Sequence, residues 1–393
     1  MSFPTITAPQ RGRDPAPLAP RGPHAWPDPF VAIGAIGLGV VSLVTLSQIS
    51  HAQEVRQAIY LGVGLVVMFA LARIDYSRLR ELKWGLYVIL ILSILLVMAV
   101  GHSISGTVST RSITFGGFSF QSSEFGKVLL VVFLGAFIVD SSRKTTPREL
   151  VARVMLLALV PTMLVIAEPD LGSSLVYVAI AVAVLYIAGA AWQHLTALAV
   201  LGVAALLLIA VVLPAVGIHA FHTQVTRIEA FLHPSSNPND KGYQQYESTV
   251  AIGAGGKFGR GAVGASQTRL GLVSETYADF VFAAVGERFG FAGAALVLSL
   301  YALIIWRALR TIVAAKNLFG ALLASGIAAM LTFQVFVNVG VAVGILPITG
   351  VTLPLVSYGG SSVLTTFIAL GLLQSIHVQA RVAAGMKGRV LSI

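Results

Sequence analysis

The chain contains no cysteine. Disulfides, thiolate catalysis and cysteine-ligated metals are therefore excluded. Charge is also scarce. Asp, Glu, Lys and Arg supply 11% of the 393 residues, where soluble domains carry about 25%. So few charges cannot cover a soluble fold of this size, which excludes a soluble enzyme. The alternation of apolar and polar residues that a membrane β-barrel needs is missing too, because the apolar residues run in long blocks. No short basic start leads into an apolar core, so no cleaved signal peptide is expected. A P-loop is absent. Acidic residues are few, 16 against 26 basic, which leaves a net charge of +10.

What is present is apolar. Hydrophobic residues make up 56% and the mean hydropathy is +0.86. Ten apolar segments follow one another, near 30–48, 57–73, 85–100, 126–140, 151–167, 172–190, 194–213, 290–306, 319–343 and 360–378. About 20 helical residues cross a bilayer core of about 30 Å. The pattern predicts an all-α polytopic membrane protein of about ten spans. Residues 1–29, which are rich in Pro and Arg, and the short basic stretch 381–393 are expected to be tails. The domain between them covers 30–380, with one long connection at about 214–289.

In a soluble chain, +10 would suggest nucleic acid. Here the positive-inside rule accounts for the charge. With the N-terminus inside, the inner loops carry Arg73, Arg78, Arg80 and Lys83, then Arg143, Lys144, Arg148 and Arg153, then Arg307, Arg310 and Lys316. Arg11, Arg13, Arg21, Arg381, Lys387 and Arg389 lie on the tails. Both termini are thus expected on the cytoplasmic side of the membrane. Glu54, Glu124, Glu168, Asp170, Glu229, Asp240, Glu247, Glu275, Asp279 and Glu287 fall outside or near the outer interface. The polar face, and with it any active face, is expected to be extracytoplasmic.

Five stretches on that face could carry chemistry. The connection 101–127 holds Arg111, Gln121, Glu124 and Lys127. Glu124 and Lys127, spaced i,i+3, share a helix face. They form either a neighbour pair with a snorkelling lysine, a cation held for a lipid phosphate, or an ion pair that shapes a cavity. The sequence Glu168-Pro169-Asp170-Leu171-Gly172 reads either as a turn with Asp170 as N-cap or as the acidic edge of a cavity. The long outer connection holds Gln244 and then Gly253-Ala254-Gly255-Gly256-Lys257-Phe258-Gly259-Arg260-Gly261. So many glycines rule out an ordinary helix interior, and the stretch is either a flexible loop or an anion cradle helped by Lys257 and Arg260. Asp279 stands among aromatic and apolar residues ahead of Glu287. It is a helix cap or, with its pKa raised by partial burial, a general base. The stretch 344–362, with Ser357, Tyr358 and Ser361, is apolar but broken by Pro and Gly. It reads as re-entrant or packed into protein.

FQSSEFGK at 120–127, EPDLG at 168–172, AIGAGGKFGRG at 251–261, ADFVFAAVGERFGFAG at 278–293 and LPLVSYGGSS at 353–362 occur in this order. Together they resemble the SEDS family of bacterial cell-wall proteins, which includes RodA, FtsW and SpoVE. The resemblance implies ten spans and polymerisation of lipid II, the lipid-linked disaccharide-pentapeptide, into glycan strands. It implies a membrane-bound partner, a class B penicillin-binding protein that cross-links the strands. In the family pattern Asp279 matches the essential aspartate. Arg111 and Lys127, the latter set by Glu124, become candidates for the substrate diphosphate, joined by Lys257 and Arg260. Gln121, Glu168, Asp170, Gln244, Glu287, Ser357, Tyr358 and Ser361 become candidate cavity-lining residues. A magnesium or manganese ion on the diphosphate or the outer carboxylates is an open expectation. An elongation role of the RodA type is preferred to an FtsW-like division role. The chain departs from the family pattern at Ser112, where tryptophan is usual, and at Ser122, where proline is usual. A lipid II flippase or other transporter, and a non-catalytic scaffold for the transpeptidase, are the competing readings.

Overall fold

The computed structural model describes residues 26–47, 50–100, 102–103, 110–115, 118–142, 144–168, 170–197, 200, 231, 241–265, 268 and 278–390. Most of the predicted seventh span at 194–213, about half of the long connection and the segment through residue 25 lie outside the described residues.

The described helices are α1 (Pro29–Leu46), α2 (His51–Leu71), α3 (Lys83–Val100), α4 (Ser122–Ser141), α5 (Pro147–Ala167) and α6 (Leu171–Ile187). After them come α7 (Lys241–Gly255), α8 (Val281–Ala314), α9 (Leu318–Ala342) and α10 (Gly360–Val390). Eight of these are long and apolar enough to cross a membrane, and α6 falls just short in length. The ends are set by local chemistry. Asp28 caps α1 through Phe30 N at 3.0 Å, and Asn317 caps α9 through Gly320 N at 2.9 Å. Thr146 caps α5, whose first residue is Pro147.

The helices are not equivalent. In their apolar windows α4, α10 and α9 are 83%, 78% and 72% buried, whereas α2 and α3 are 22% and 17% buried. The first three form the centre of the bundle, and the others turn their apolar faces outward, as lipid-facing helices do. α10 lies along α2, α9 packs between α6 and α8, and α7 packs on α8.

Three features depart from plain helical crossings. A small antiparallel sheet of β1 (His102–Ser103), β2 (Thr110–Phe115) and β3 (Phe118–Phe120) links α3 to α4. Its short strands gave no periodic signal in the sequence. The helix α8 is broken at Gly290, whose φ of 64° and ψ of −160° are not helical. The predicted span beginning at 290 starts at this break, and residues 281–289 form a separate half-helix at one end of the bundle. Residues 343–359, between α9 and α10, are irregular. Leu353, Leu355, Val356 and Ser357 are buried there, so the segment is packed into protein as its Pro/Gly pattern predicts.

Candidate functional site

The irregular segment 343–359 is held by side chains from four helices. Ser42 on α1 donates to Val356 O at 2.8 Å. Gln57 on α2 donates to Ser357 O and to Ser42 Oγ, both at 3.1 Å. Tyr301 on α8 donates to Pro354 O at 2.5 Å. Asn338 on α9 donates to Val351 O at 2.8 Å. These bonds satisfy backbone groups that a helix would have paired internally. They also hold Leu355 at a φ of 67°, a conformation that costs free energy for a residue with a Cβ.

Asp279 lies against this segment. It is half-buried in the turn just before α8. Its Oδ2 lies 3.9 Å from where a Cβ on Gly350 would stand. The backbone around it is tied on both sides. Ser357 Oγ donates to Ala278 O at 2.5 Å, and Asn338 Nδ2 donates to Asp279 O at 2.9 Å. The N-cap position of α8 is the next residue, Phe280.

A belt of polar contacts leads away from Asp279 across the same end of the bundle. Thr352 Oγ1 and Ser362 Oγ are 2.8 Å apart. Ser361 Oγ accepts from Gln121 N at 3.0 Å and donates to Ser119 O. Gln121 Nε2 and Ser123 Oγ both donate to Asp170 Oδ2, at 3.1 and 2.7 Å. Asp170 also caps α6 by accepting from Ser173 N at 3.1 Å, so the cap and the acidic edge are one residue. Glu168 accepts from Ser122 Oγ at 3.4 Å. Ser122 is the first residue of α4, a position that tolerates proline; here its hydroxyl contacts Glu168. Ser112 is buried on β2. Tyr358 lies beside Tyr60, with ring centroids 6.5 Å apart.

Deeper in α4, Lys127 Nζ is 2.6 Å from Glu124 Oε1, and Lys127 is only 1% exposed. This is a buried ion pair and not a snorkelling lysine. Desolvating two charges is costly, and their pairing offsets that cost. Gly126, between them in sequence, admits Tyr177 of α6, whose hydroxyl donates to Ser123 O at 3.2 Å.

The other candidates are placed differently. Gln244 is half-buried on α7, away from the contacts just described. Its neighbour Gln245 donates to Val341 O and Leu346 O at 3.0 and 2.7 Å, clamping the end of α9. Glu287 is buried and accepts from Thr268 N at 2.9 Å, so it ties the connection to α8 and does not line an open cavity. Lys257 and Arg260 are exposed, and Arg260 Nε donates to Ala254 O at 2.8 Å. The expectation that so many glycines rule out an ordinary helix interior holds only in part, because α7 continues through Gly255 and a four-residue helix, Gly261–Gly264, follows. Two of the glycines, Gly255 at the end of α7 and Gly259 beyond it, serve close approach, whereas Gly256 and Gly261 have open space where a Cβ would stand. A Cβ on Gly255 or Gly259 would overlap the Gly286 or Arg288 carbonyl, and Phe291 N and Ala292 N donate to Gly256 O and Lys257 O at 2.9 and 3.1 Å. Arg111 lies on β2. Among the described residues no group of three His, Asp or Glu comes together as a metal cage would need.

The site was assembled from the segments that the sequence singled out, but its holders were not foreseen. Gln57, Asn338 and Gln245 are buried amides in apolar surroundings. Their one sequence signal is an amide inside or beside an apolar run.

A family model for FtsW, RodA and SpoVE, described as cell cycle protein, matches residues 29–382. The chain is 38% identical over 335 residues to a probable peptidoglycan glycosyltransferase FtsW of Thioalkalivibrio sulfidiphilus, covering 82% of this chain and 79% of that protein. It is 35% identical over 324 residues to the peptidoglycan glycosyltransferase MrdB of Escherichia coli, covering 82% and 84%. It is 32% identical over 327 residues to stage V sporulation protein E of Bacillus subtilis, covering 83% and 87%. A solved chain described under "Structural coordination of polymerization and crosslinking by a peptidoglycan synthase complex" superposes with a TM-score of 0.76 at 31% identity, over 90% of this chain and 98% of that one. The chain belongs to the FtsW/RodA/SpoVE family, and it is a multi-pass membrane protein.

Proposed function

We propose that this member of the family is a peptidoglycan glycosyltransferase that polymerises lipid II on the extracytoplasmic face of the membrane. One observation carries the reading. A half-buried carboxylate, Asp279, stands beside a braced irregular segment at the end of the bundle where the polar residues gather. That end lies opposite the basic Arg80, Lys83, Arg307 and Lys316. Two activated lipid-linked sugars could meet there without a nucleotide.

In this mechanism Asp279 removes the proton from the GlcNAc 4-hydroxyl of one lipid II. The oxygen attacks the MurNAc C1 of the other chain, and the C1–O bond to the lipid diphosphate breaks. The α-linked donor becomes a β-1,4 product, so attack and departure occur on opposite faces of the sugar. The proton rests on Asp279 and passes to solvent, and the leaving diphosphate keeps its electron pair. Arg111 meets the diphosphate, with Lys257 and Arg260 as further basic groups at the rim. Lys127 contributes from within the wall, its charge already balanced by Glu124. The half-buried Gln121 and Tyr358 form part of the polar surface that the sugars cross, and the buried Asp170 and Ser361 hold it from behind. We assign any magnesium or manganese to the substrate's diphosphate, because the described residues offer no cage of three acidic or histidine ligands.

The polar belt also favours an enzyme over a transporter, which needs ionisable groups spread through the midplane and reachable from both sides. The solved complex supports a transpeptidase partner for this chain as well. Within the family we propose the RodA-like elongation role, on the character of the 344–362 stretch. Co-purification with an elongation-type and not a division-type transpeptidase would bear this out, and the reverse pairing would overturn it. The test of the activity itself is polymerisation of purified lipid II in detergent, with and without the transpeptidase. Glycan polymer from the wild-type chain is the expected result. Lipid II translocation in liposomes with no polymer would contradict it.

A further inference from the structure

We propose that Asn338 is a positioning residue for glycosyl transfer, acting on Asp279 through its backbone. The proposal rests on Asp279 being the base. Asn338 lies on α9 and is 1% exposed. Its amide nitrogen gives both of its hydrogens to carbonyl oxygens, at 2.9 Å to Asp279 and 2.8 Å to Val351. The orientation of the amide follows from its partners. Turned over, it would set its oxygen against two carbonyl oxygens with no proton between them.

The two acceptors belong to the two pieces that must stay in register. One is the turn carrying Asp279. The other is the irregular segment whose Gly350 faces the Asp279 carboxylate. A side chain that fixes a residue's own carbonyl fixes its peptide plane, and so the direction in which its Cβ leaves the chain. Asn338 therefore holds the aim of the carboxylate without touching the reacting atoms. A displacement of about 1 Å at a reacting group can cost about 100-fold in rate. The buried polar side chains of α7 act elsewhere. Ser248 donates to Ala342 O at 2.8 Å and Gln245 to Val341 O at 3.0 Å, which docks α7 on the end of α9 and leaves residue 279 untouched. Ser357 Oγ, within the facing segment, bridges the same two pieces one residue earlier, donating to Ala278 O at 2.5 Å and accepting from Leu353 N at 2.8 Å, whereas Asn338 bonds the carbonyl of residue 279 itself.

The experiment compares Asn338→Ala, Asn338→Ser, Ser248→Ala and Asp279→Ala in the full chain with its transpeptidase. It measures kcat and KM for lipid II together with the Tm of each protein. We expect Asn338→Ala to lower kcat by about 10- to 100-fold with KM within about 2-fold. Asn338→Ser, which keeps one donor, should fall in between, and it carries the test if the alanine variant does not fold. Ser248→Ala loses the buried hydrogen bond from α7 to Ala342 O at the end of α9, so it should lower Tm and leave kcat near wild type. A wild-type kcat in both Asn338 variants overturns the proposal. So does a kcat loss that Ser248→Ala reproduces at equal Tm. Inactive Asp279→Ala alongside fully active Asn338 variants would sink the positioning role alone. Active Asp279→Ala would sink the base reading itself.

Discussion

Glu124 and Lys127 place two opposite charges inside the bundle, and their burial sets what each is worth. Their i,i+3 spacing follows from the sequence, and so does their place on one helix face. Their burial does not, because it depends on α6 closing over α4 through Gly126 and Tyr177. Burial decides what a substitution does. Glu124→Gln leaves an ammonium uncompensated inside the bundle and should cost about 3–5 kcal/mol of stability. The double change Glu124→Leu with Lys127→Met should recover most of it. Thermal unfolding in detergent checks this, and an unchanged Tm in the single variant would mean the pair is solvated. Asp279 was legible for a similar reason, as a carboxylate among aromatics. The amides that brace it were not. Gln57 and Asn338 carry no charge, and an apolar run tolerates an occasional amide without revealing what it holds.

At the scale of elements, the break in α8 was half visible. The apolar run begins at 290, where Gly290 turns the chain, but the half-helix 281–289 merged with the loop in the sequence. The glycine run was visible as glycine, as a flexible loop or an anion cradle, and the close approach that two of its glycines permit was not. Gly259, with a φ of 83°, lies where a Cβ would strike the Arg288 carbonyl, whereas Gly253 has nothing within 4 Å. Gly259→Ala should therefore abolish or sharply reduce folded yield. Gly253→Ala, on an exposed turn of α7, should be neutral or stabilising by about 0.5–1 kcal/mol. Equal yields and Tm values for the two would contradict the close-approach account.

At the opposite end of the bundle, Asp75 opens a short turn that accompanies Tyr76 and Lys316. Partial burial pushes its carboxyl up. The hydrogen bonds from Ser77 and the nearby Lys316 outweigh that and hold it below the ordinary carboxylate value. A lowered folded value means the stabilisation is present above the unfolded pKa of about 3.9 and is lost as pH falls through the folded one. Asp75→Ala should lower Tm at neutral pH, and its gap from wild type should narrow below about pH 4. A gap that stays constant with pH would leave only the capping contribution.

For the whole molecule, composition alone excluded a soluble fold, and the runs marked most spans. Composition could not rank the helices. The distinction between a buried centre of α4, α9 and α10 and outward-facing α2 and α3 arises from which faces meet, and all five carry an apolar stretch long enough to cross a membrane. The small sheet between α3 and α4 was also invisible, because strands of two, six and three residues are too short for a period to register. A divalent cation carried on the substrate's diphosphate, as proposed above, leads to a molecular prediction about metal. Chelation should slow polymerisation, and added magnesium should restore it, without any change in the Tm of the substrate-free protein. A Tm that falls on chelation would point to a cation held by the protein.

The central claim is that Asp279 takes the proton of the attacking hydroxyl. The most direct measurement is the rate of glycan polymerisation by Asp279→Asn, which keeps the size of the side chain and removes its basicity. The variant is purified with its transpeptidase and matched to wild type in Tm. The account predicts a loss of about 100-fold or more, the scale of general base catalysis, with lipid II still bound. A folded Asp279→Asn variant that polymerises at the wild-type rate would contradict it.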